Sequence, residues 1–286
     1  MFLILIPFHE PFINKGVNHI HISRITTQKK DAERYNLYVE DEQGERFACG
    51  VHEAVLVRWG LAKGKAITAA ELTDMTREDE LEKAKKKALQ FLSKRMRTEK
   101  ELRDKLREED VPAEHIEEVI DTMAEKGYLN DAEYAQTYTR VTMSTTDKGP
   151  GRIRQYLQEK GIQDAFINDA LEQYDEQKQI ETMTGIIAKK AMPRESAVMK
   201  KKKLTDVLLR KGFSYSLINA AFEAHDFADR TDEDWQALQF QAEKAASKWR
   251  KKYEDEVVKQ KLKKHLYQKG FSLSMIDRYL EEEQNE

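Results

Sequence analysis

Cysteine is almost missing from this chain: Cys49 is the one thiol in 286 residues. A lone cysteine cannot close an intrachain disulfide, which excludes a disulfide-stapled domain and suits a reducing cytoplasm. Proline and glycine are scarce too, at five and twelve. So few chain breakers exclude a many-turned β fold and favour long helices. No run is apolar and long enough to span a bilayer, and mean hydropathy is −0.78, so no membrane association is expected. Nor does either charge dominate. Lys plus Arg is 49 and Asp plus Glu is 52, a net of −3, although 35% of residues are charged. Interleaved signs at that density belong on long solvated helices. They argue against a simple DNA-binding protein, which carries a strong basic excess.

The start, Met1 to Pro7, is apolar but short, lacks a basic leading region and is broken by Pro7. It does not read as a targeting segment. Residues 1–17 read as a disordered or mis-assigned start, with translation expected to begin at Val17. The intact mass of the natively expressed protein tests this, and a product beginning at Met1 refutes it. Residues 18–67 read as a small β-rich module with one helix. His19 to Thr26 alternates, which puts Ile20 and Ile22 on one face. Tyr35 to Val39 is aromatic and β-branched, Asp41 to Gly44 is a turn, and Arg46 to Val51 returns as a strand. A helix should follow with Val55, Leu56 and Trp59 inward, closed by Gly60 and Lys63-Gly64.

From about Thr68 the period becomes helical, with Leu81, Ala84, Ala88, Leu89 and Leu92 at three- and four-residue steps. A repeat then emerges. Leu102, Leu106, Val111, Ile116 and Ile120 have counterparts in Ile153, Leu157, Ile162, Ile167 and Leu171. The pattern returns in Leu204, Leu208, Phe213, Ile218 and Phe222, and again in Leu262, Leu266, Phe271, Ile276 and Leu280. Gly161, Gly212 and Gly270 should end the first helix of their units in the left-handed region. The lysine before each suits the negative end of the helix dipole. Asp110 stands in place of glycine in the first unit, so that end is expected to close less sharply. Thr98 and Glu101 form a capping box. A third helix is read as completing each of the first three units. It follows Gly127-Tyr128-Leu129-Asn130-Asp131 in the first, runs from Gln177 to Lys190 in the second and from Asp232 to Lys252 in the third. The division is then 68–146 for a leading helix and first unit, 147–195, 196–253, and a truncated fourth unit at 254–286. The expected fold is mainly α, an elongated array of tandem three-helix units with a small N-terminal antiparallel β segment.

The first unit reads Arg97-Thr98-x-x-Glu101-Leu102-x-x-x-Leu106 and then Gly127-Tyr128-Leu129-Asn130-Asp131-x-x-Tyr134-Ala135. This resembles the RecX family, and the resemblance runs from Ile20 to the C-terminus. The N-terminal β segment and the extra unit resemble the long form of that family. The resemblance implies a regulatory protein that binds the RecA recombinase filament on single-stranded DNA and modulates it, most often by inhibition.

No catalytic set is visible. Gly149-Pro150-Gly151 lacks the Lys-Ser or Lys-Thr of a phosphate loop and reads as a turn leading into a helix. Neither Cys49 nor any serine has a partner base in a recognisable pattern, so no enzyme and no cofactor is expected. His19, His21, Cys49 and His52 are four zinc-competent side chains without the paired spacing of a structural site, and read as packing or surface residues. The candidate contacts are basic clusters: Lys94, Arg95, Arg97 and Arg103, then Arg152 and Arg154, then Lys200, Lys201, Lys202 and Lys203, then Lys261, Lys263 and Lys264. Lys85 to Lys87 and Lys248 to Lys252 belong to the same series. They recur near the start of each unit's first helix, where cations oppose the dipole, so local stability does not account for them. On a regular stack they would form a basic stripe for RecA or for a weak direct contact with DNA; the alternative is a solvated face paired with neighbouring acids. Tyr128, Tyr134, Tyr138, Tyr156, Tyr174, Trp235 and Trp249 read mostly as core. A cytoplasmic monomer is expected. The alternatives are a nucleic-acid-binding helical protein independent of RecA and a helical scaffold for another protein.

Overall fold

The structure is a computed structural model that describes residues 20–29, 31–41, 43–190, 192–225 and 231–283. The expectations for residues 1–17 and for His19 lie outside the described residues. The chain forms two bodies, Met1–Leu129 and Asn130–Glu286.

In the N-terminal body, β1 (Ile20–Gln28), β2 (Asp31–Asp41), β3 (Gly44–His52) and β4 (Ala66–Ile67) form one antiparallel sheet in the order β3-β2-β1-β4. Alternation does its ordinary work here: Ile22 pairs with Val39 and Leu37 with Cys49. Ile22, Leu37, Val39 and Val51 are buried with Val55 of α1 (Glu53–Arg58) and with Leu61, Ile67 and Met75. The sequence pattern missed β4, because two residues are too few to show a period.

The 24-residue α2 (Ala69–Leu92) starts at a full capping box between Thr68 and Glu71. It serves two cores. Met75 packs under the sheet. Leu81, Ala84 and Ala88 pack on α3 (Glu99–Glu108) and α4 (Ala113–Glu125), with Leu102, Leu106, Ile116, Val119, Ile120 and Met123. A clamp fixes α2 to the strands. Asp79, 2% exposed, takes two bonds from Arg34 at 3.0 and 2.9 Å, one from the His52 backbone N–H at 2.8 Å, and an ion pair from Lys83 at 2.8 Å. Burial works to raise the carboxyl pKa, but the Arg34 and Lys83 bonds outweigh it and hold it below the ordinary value.

The C-terminal body holds α5 (Asp131–Thr145), α6 (Pro150–Glu159), α7 (Asp164–Glu172), α8 (Glu176–Lys189), α9 (Ala197–Lys211), α10 (Tyr215–Ala224), α11 (Thr231–Trp249), α12 (Asp255–Gln268) and α13 (Leu273–Glu282). Here α5 packs on α7, α8 on α10, and α11 on both α12 and α13. The long helix therefore opens its three-helix group rather than closing it, and α11 to α13 share one core from Ala237 to Leu280. Equal anchor spacing fixes the length of a repeat but leaves its phase open. Packing sets the phase, and it makes the last group complete rather than truncated.

The middle helices α3, α6, α9 and α12 end alike. Val111, Ile162, Phe213 and Phe271 donate their N–H to Leu106, Leu157, Leu208 and Leu266 at 3.0 to 3.2 Å. Asp110 adopts φ +57°, the left-handed value, and its helix closes as the others do. The expectation of a looser end there is corrected: the turn's hydrogen bond and the Val111 contact outweigh a modest backbone cost. Tyr128 is a second correction, being 55% exposed rather than inward. Tyr134 and Tyr174 are buried, and Tyr138 stacks on Tyr156 at 4.2 Å.

Candidate functional site

The basic residues of the N-terminal body mostly have partners. Lys85 pairs with Glu82 at 3.3 Å, and Lys86 with Asp31 at 2.9 Å and Glu33 at 3.1 Å. Lys87 pairs with Glu109, Arg95 with Glu101, and Arg103 makes a two-pronged bond to Glu117 at 3.0 and 2.9 Å. Those bonds to Glu117 push the Arg103 pKa further up. The Arg97 guanidinium lies 4.2 Å over Phe91. Lys94 is exposed and makes no ion pair among the described residues. Exposed pairs of this kind contribute under about 1 kcal/mol each. They matter here because they cancel local positive potential.

The middle clusters have mechanical work. Arg152 Nε donates to the Arg210 carbonyl at 2.7 Å, and its other arm reaches Gln155 at 2.8 Å. Gly149 and Gly151 donate to the carbonyls of Lys211 and Gly212 at 2.7 and 2.9 Å. The N-terminus of α6 is thus seated on the C-terminus of α9. In the same sense Ser196, the cap of α9, donates to the Lys269 carbonyl at the end of α12 at 2.6 Å. For Arg152 this corrects the expectation of no local role, because it faces the carbonyl end of α9, where a positive group is favoured. Glycine is required at the α6–α9 joint, since a Cβ on Gly212 would lie 2.5 Å from the Arg152 nitrogen. Arg154 bonds Asn168 at 2.7 Å. Lys200 pairs with Glu233 at 3.5 Å and Lys203 with Glu195 at 2.6 Å, while Lys201 lies 5.3 Å over Phe222. Lys202 is exposed without an ion pair among the described residues.

Around α12 the balance differs. From Lys248 to Lys269 there are nine Lys and Arg against three acids. Among the described residues, ion pairs form only at Arg250 (Glu283, 2.9 Å) and Lys263 (Asp277, 2.6 Å). Lys261 lies 4.5 Å over the Tyr253 ring, and Lys264 is exposed and makes no ion pair among the described residues. Tyr253 and Tyr267 are 44% and 60% exposed. Sequence reading named Lys261, Lys263 and Lys264 but passed over these tyrosines. For Tyr267 the signal was there: Val258, Leu262 and Leu266 mark the inner stripe and Tyr267 falls opposite it, whereas Tyr253 lies in the turn before the helix.

The zinc reading meets a different use of its residues. His52 accepts the Ala54 N–H at 3.2 Å and caps α1. Burial, helped by the Asp79 charge, pushes the Cys49 thiol up to about 11, away from the thiolate a metal takes. Among the described residues no group of three or more His, Cys, Asp or Glu is placed to hold a metal, and no helix is long and apolar enough to cross a membrane.

Known proteins share this arrangement. The RecX N-terminal domain family matches residues 20–68. The first, second and third three-helix domains of RecX match 84–123, 130–171 and 232–280. These ranges put the long helix first, as the packing does, and α8 to α10 lie between the second and third. Regulatory protein RecX of Oceanobacillus iheyensis is 34% identical over 264 residues, 91% of this chain and 97% of that one. That of Bacillus cytotoxicus is 36% identical over 262 residues, with the same coverage. A crystal structure of regulatory protein RecX superposes with a TM-score of 0.62 at 31% identity, covering 73% of this chain and all of that one. One from Lactobacillus salivarius gives 0.51 at 37% identity, over 53% of this chain and 99% of that one. The chain belongs to the RecX family of regulatory proteins.

Proposed function

We propose that this protein binds the RecA filament on single-stranded DNA and lowers its recombinase, ATPase and coprotease activities, acting in the cytoplasm in DNA repair and the SOS response. The observation that carries the reading is likeness along nearly the whole chain to relatives named as regulatory proteins of this family. The four three-helix groups support it in kind. Several weak contacts, repeated along one chain, add to a strong one when the target repeats too. The contacts would come from those candidate cations that make no ion pair among the described residues, Lys94, Lys202 and Lys264. A chain of this kind laid along the filament would bridge neighbouring recombinase subunits and block growth or access.

The test is the DNA-dependent ATPase rate of the cognate RecA at increasing amounts of this protein, with DNA in excess. The expected result is a fall at substoichiometric amounts. An unchanged rate, with filaments confirmed in the same tube, refutes the reading. A second reading, direct nucleic-acid binding independent of RecA, is favoured by the unpaired cations around α12.

A further inference from the structure

We propose that the outward face of α12 is a binding surface for single-stranded nucleic acid that works without the recombinase. Its members on the helix are Val257, Gln260, Lys264 and Tyr267, at i, i+3, i+7 and i+10, and Tyr253 adjoins them from the turn before the helix. The four helical members stand opposite the buried Val258, Leu262 and Leu266, and all five are exposed. At 1.5 Å per residue Val257 and Tyr267 lie about 15 Å apart along the axis. Lys264 sits between them, and no acid occurs from Val257 to Lys269.

The chemistry on this face favours an unpaired strand. Phosphates attract the free ammonium groups, and unstacked bases take aromatic platforms. A duplex keeps its base faces covered and has no use for the tyrosines. Lys261 already lies over the Tyr253 ring at 4.5 Å, so positive charge and aromatic surface are joined at one end of the face.

The other groups do not carry it. At the position of Lys264 they have Asp104, Gln155 and Asp206. At the position of Tyr267 they have Arg107, Gln158 and Leu209. The face is therefore no by-product of the repeat.

The test is fluorescence anisotropy of a labelled oligothymidine with the full chain, without recombinase, over a range of salt. The wild type should bind, with affinity falling as salt rises. Lys264→Gln should make the log–log salt slope shallower by about 0.7, the value for one phosphate contact on a single strand. Tyr253→Ala with Tyr267→Ala should weaken binding about 30-fold or more and leave the slope unchanged. All three side chains are outside the core, so unchanged thermal melts certify the fold. No binding at low salt overturns the proposal, as does wild-type affinity in the tyrosine variant. Weaker binding to the recombinase filament with unaltered oligonucleotide binding also overturns it, and assigns the face to protein. The assay contains no recombinase, so failure of the ATPase test leaves this proposal standing, and the reverse holds too.

Discussion

At Lys83, Lys85, Lys86 and Lys87 every ammonium has a carboxylate within 3.4 Å. From Lys248 to Lys269, two of nine cations have one among the described residues. As strings of letters the two stretches look alike. The difference lies in what packs beside them. The first run is on α2: Asp79 and Glu82 of the same helix answer Lys83 and Lys85, and Asp31 and Glu33, more than fifty residues away, answer Lys86. The second run extends from the end of α11 through α12, where the acids, Glu254, Asp255 and Glu256, are confined to the start of the helix. The proposed binding surface is the cluster that the fold leaves least answered.

Removing the buried anchor of the first region should have the largest effect. Asp79→Ala leaves Arg34 without its carboxylate, and loss of one partner from a buried pair costs about 3–5 kcal/mol. Urea unfolding should show that loss, while oligonucleotide affinity stays unchanged. A loss under about 1 kcal/mol would mean the clamp is not what joins α2 to the sheet. The same group sets an acid dependence. Its folded pKa is depressed below the ordinary 3.8, so its stabilisation is complete above that value and fades as pH falls through the lower folded one. Unfolding curves of the wild type should weaken below about pH 4 more steeply than those of Asp79→Asn.

Next in size is the joint in the C-terminal body. Gly212→Ala combines φ +91° with a backbone clash, and should cost about 1–3 kcal/mol in thermal unfolding. Asp110→Gly, the same place in the first three-helix group, should stabilise by no more than about 1 kcal/mol. Equal effects at both would erase the distinction between a helix end that is docked and one that is only capped.

Two smaller measurements sharpen the comparison. Lys86→Gln should leave the salt slope of oligonucleotide binding unmoved, whereas Lys264→Gln alone should make it shallower by about 0.7. Cys49, with its thiol pushed up to about 11, should react slowly with iodoacetamide at pH 8 in the native chain and readily in urea. Fast native labelling would show that the sheet opens on its own.

Much of this was legible beforehand. Leu102, Leu106, Ile116 and Ile120 and their counterparts recur with enough regularity to expose the repeat. Gly161, Gly212 and Gly270 mark helix ends, because few other residues take a positive φ cheaply. Three things were not legible. The phase of the repeat depends on whether α5 packs forward or back. The Asp79 clamp joins residues 45 apart whose spacing follows no local period. The docking of Arg152 on Arg210 bridges 58 residues and turns an apparently misplaced cation into a helix-end contact. Of the candidate contacts, sequence could list the charges but not which were already neutralised by the fold.

The most direct test sets the two regions against each other in one assay. The ATPase rate of the cognate RecA on single-stranded DNA is titrated with the wild type, with Lys86→Gln plus Arg103→Gln, and with Lys264→Gln plus Tyr267→Ala. The account predicts that the first two lower the rate alike, and that the α12 variant needs several-fold more protein for the same fall. A flat response to the wild type, or a defect confined to the Lys86 and Arg103 variant, would contradict it.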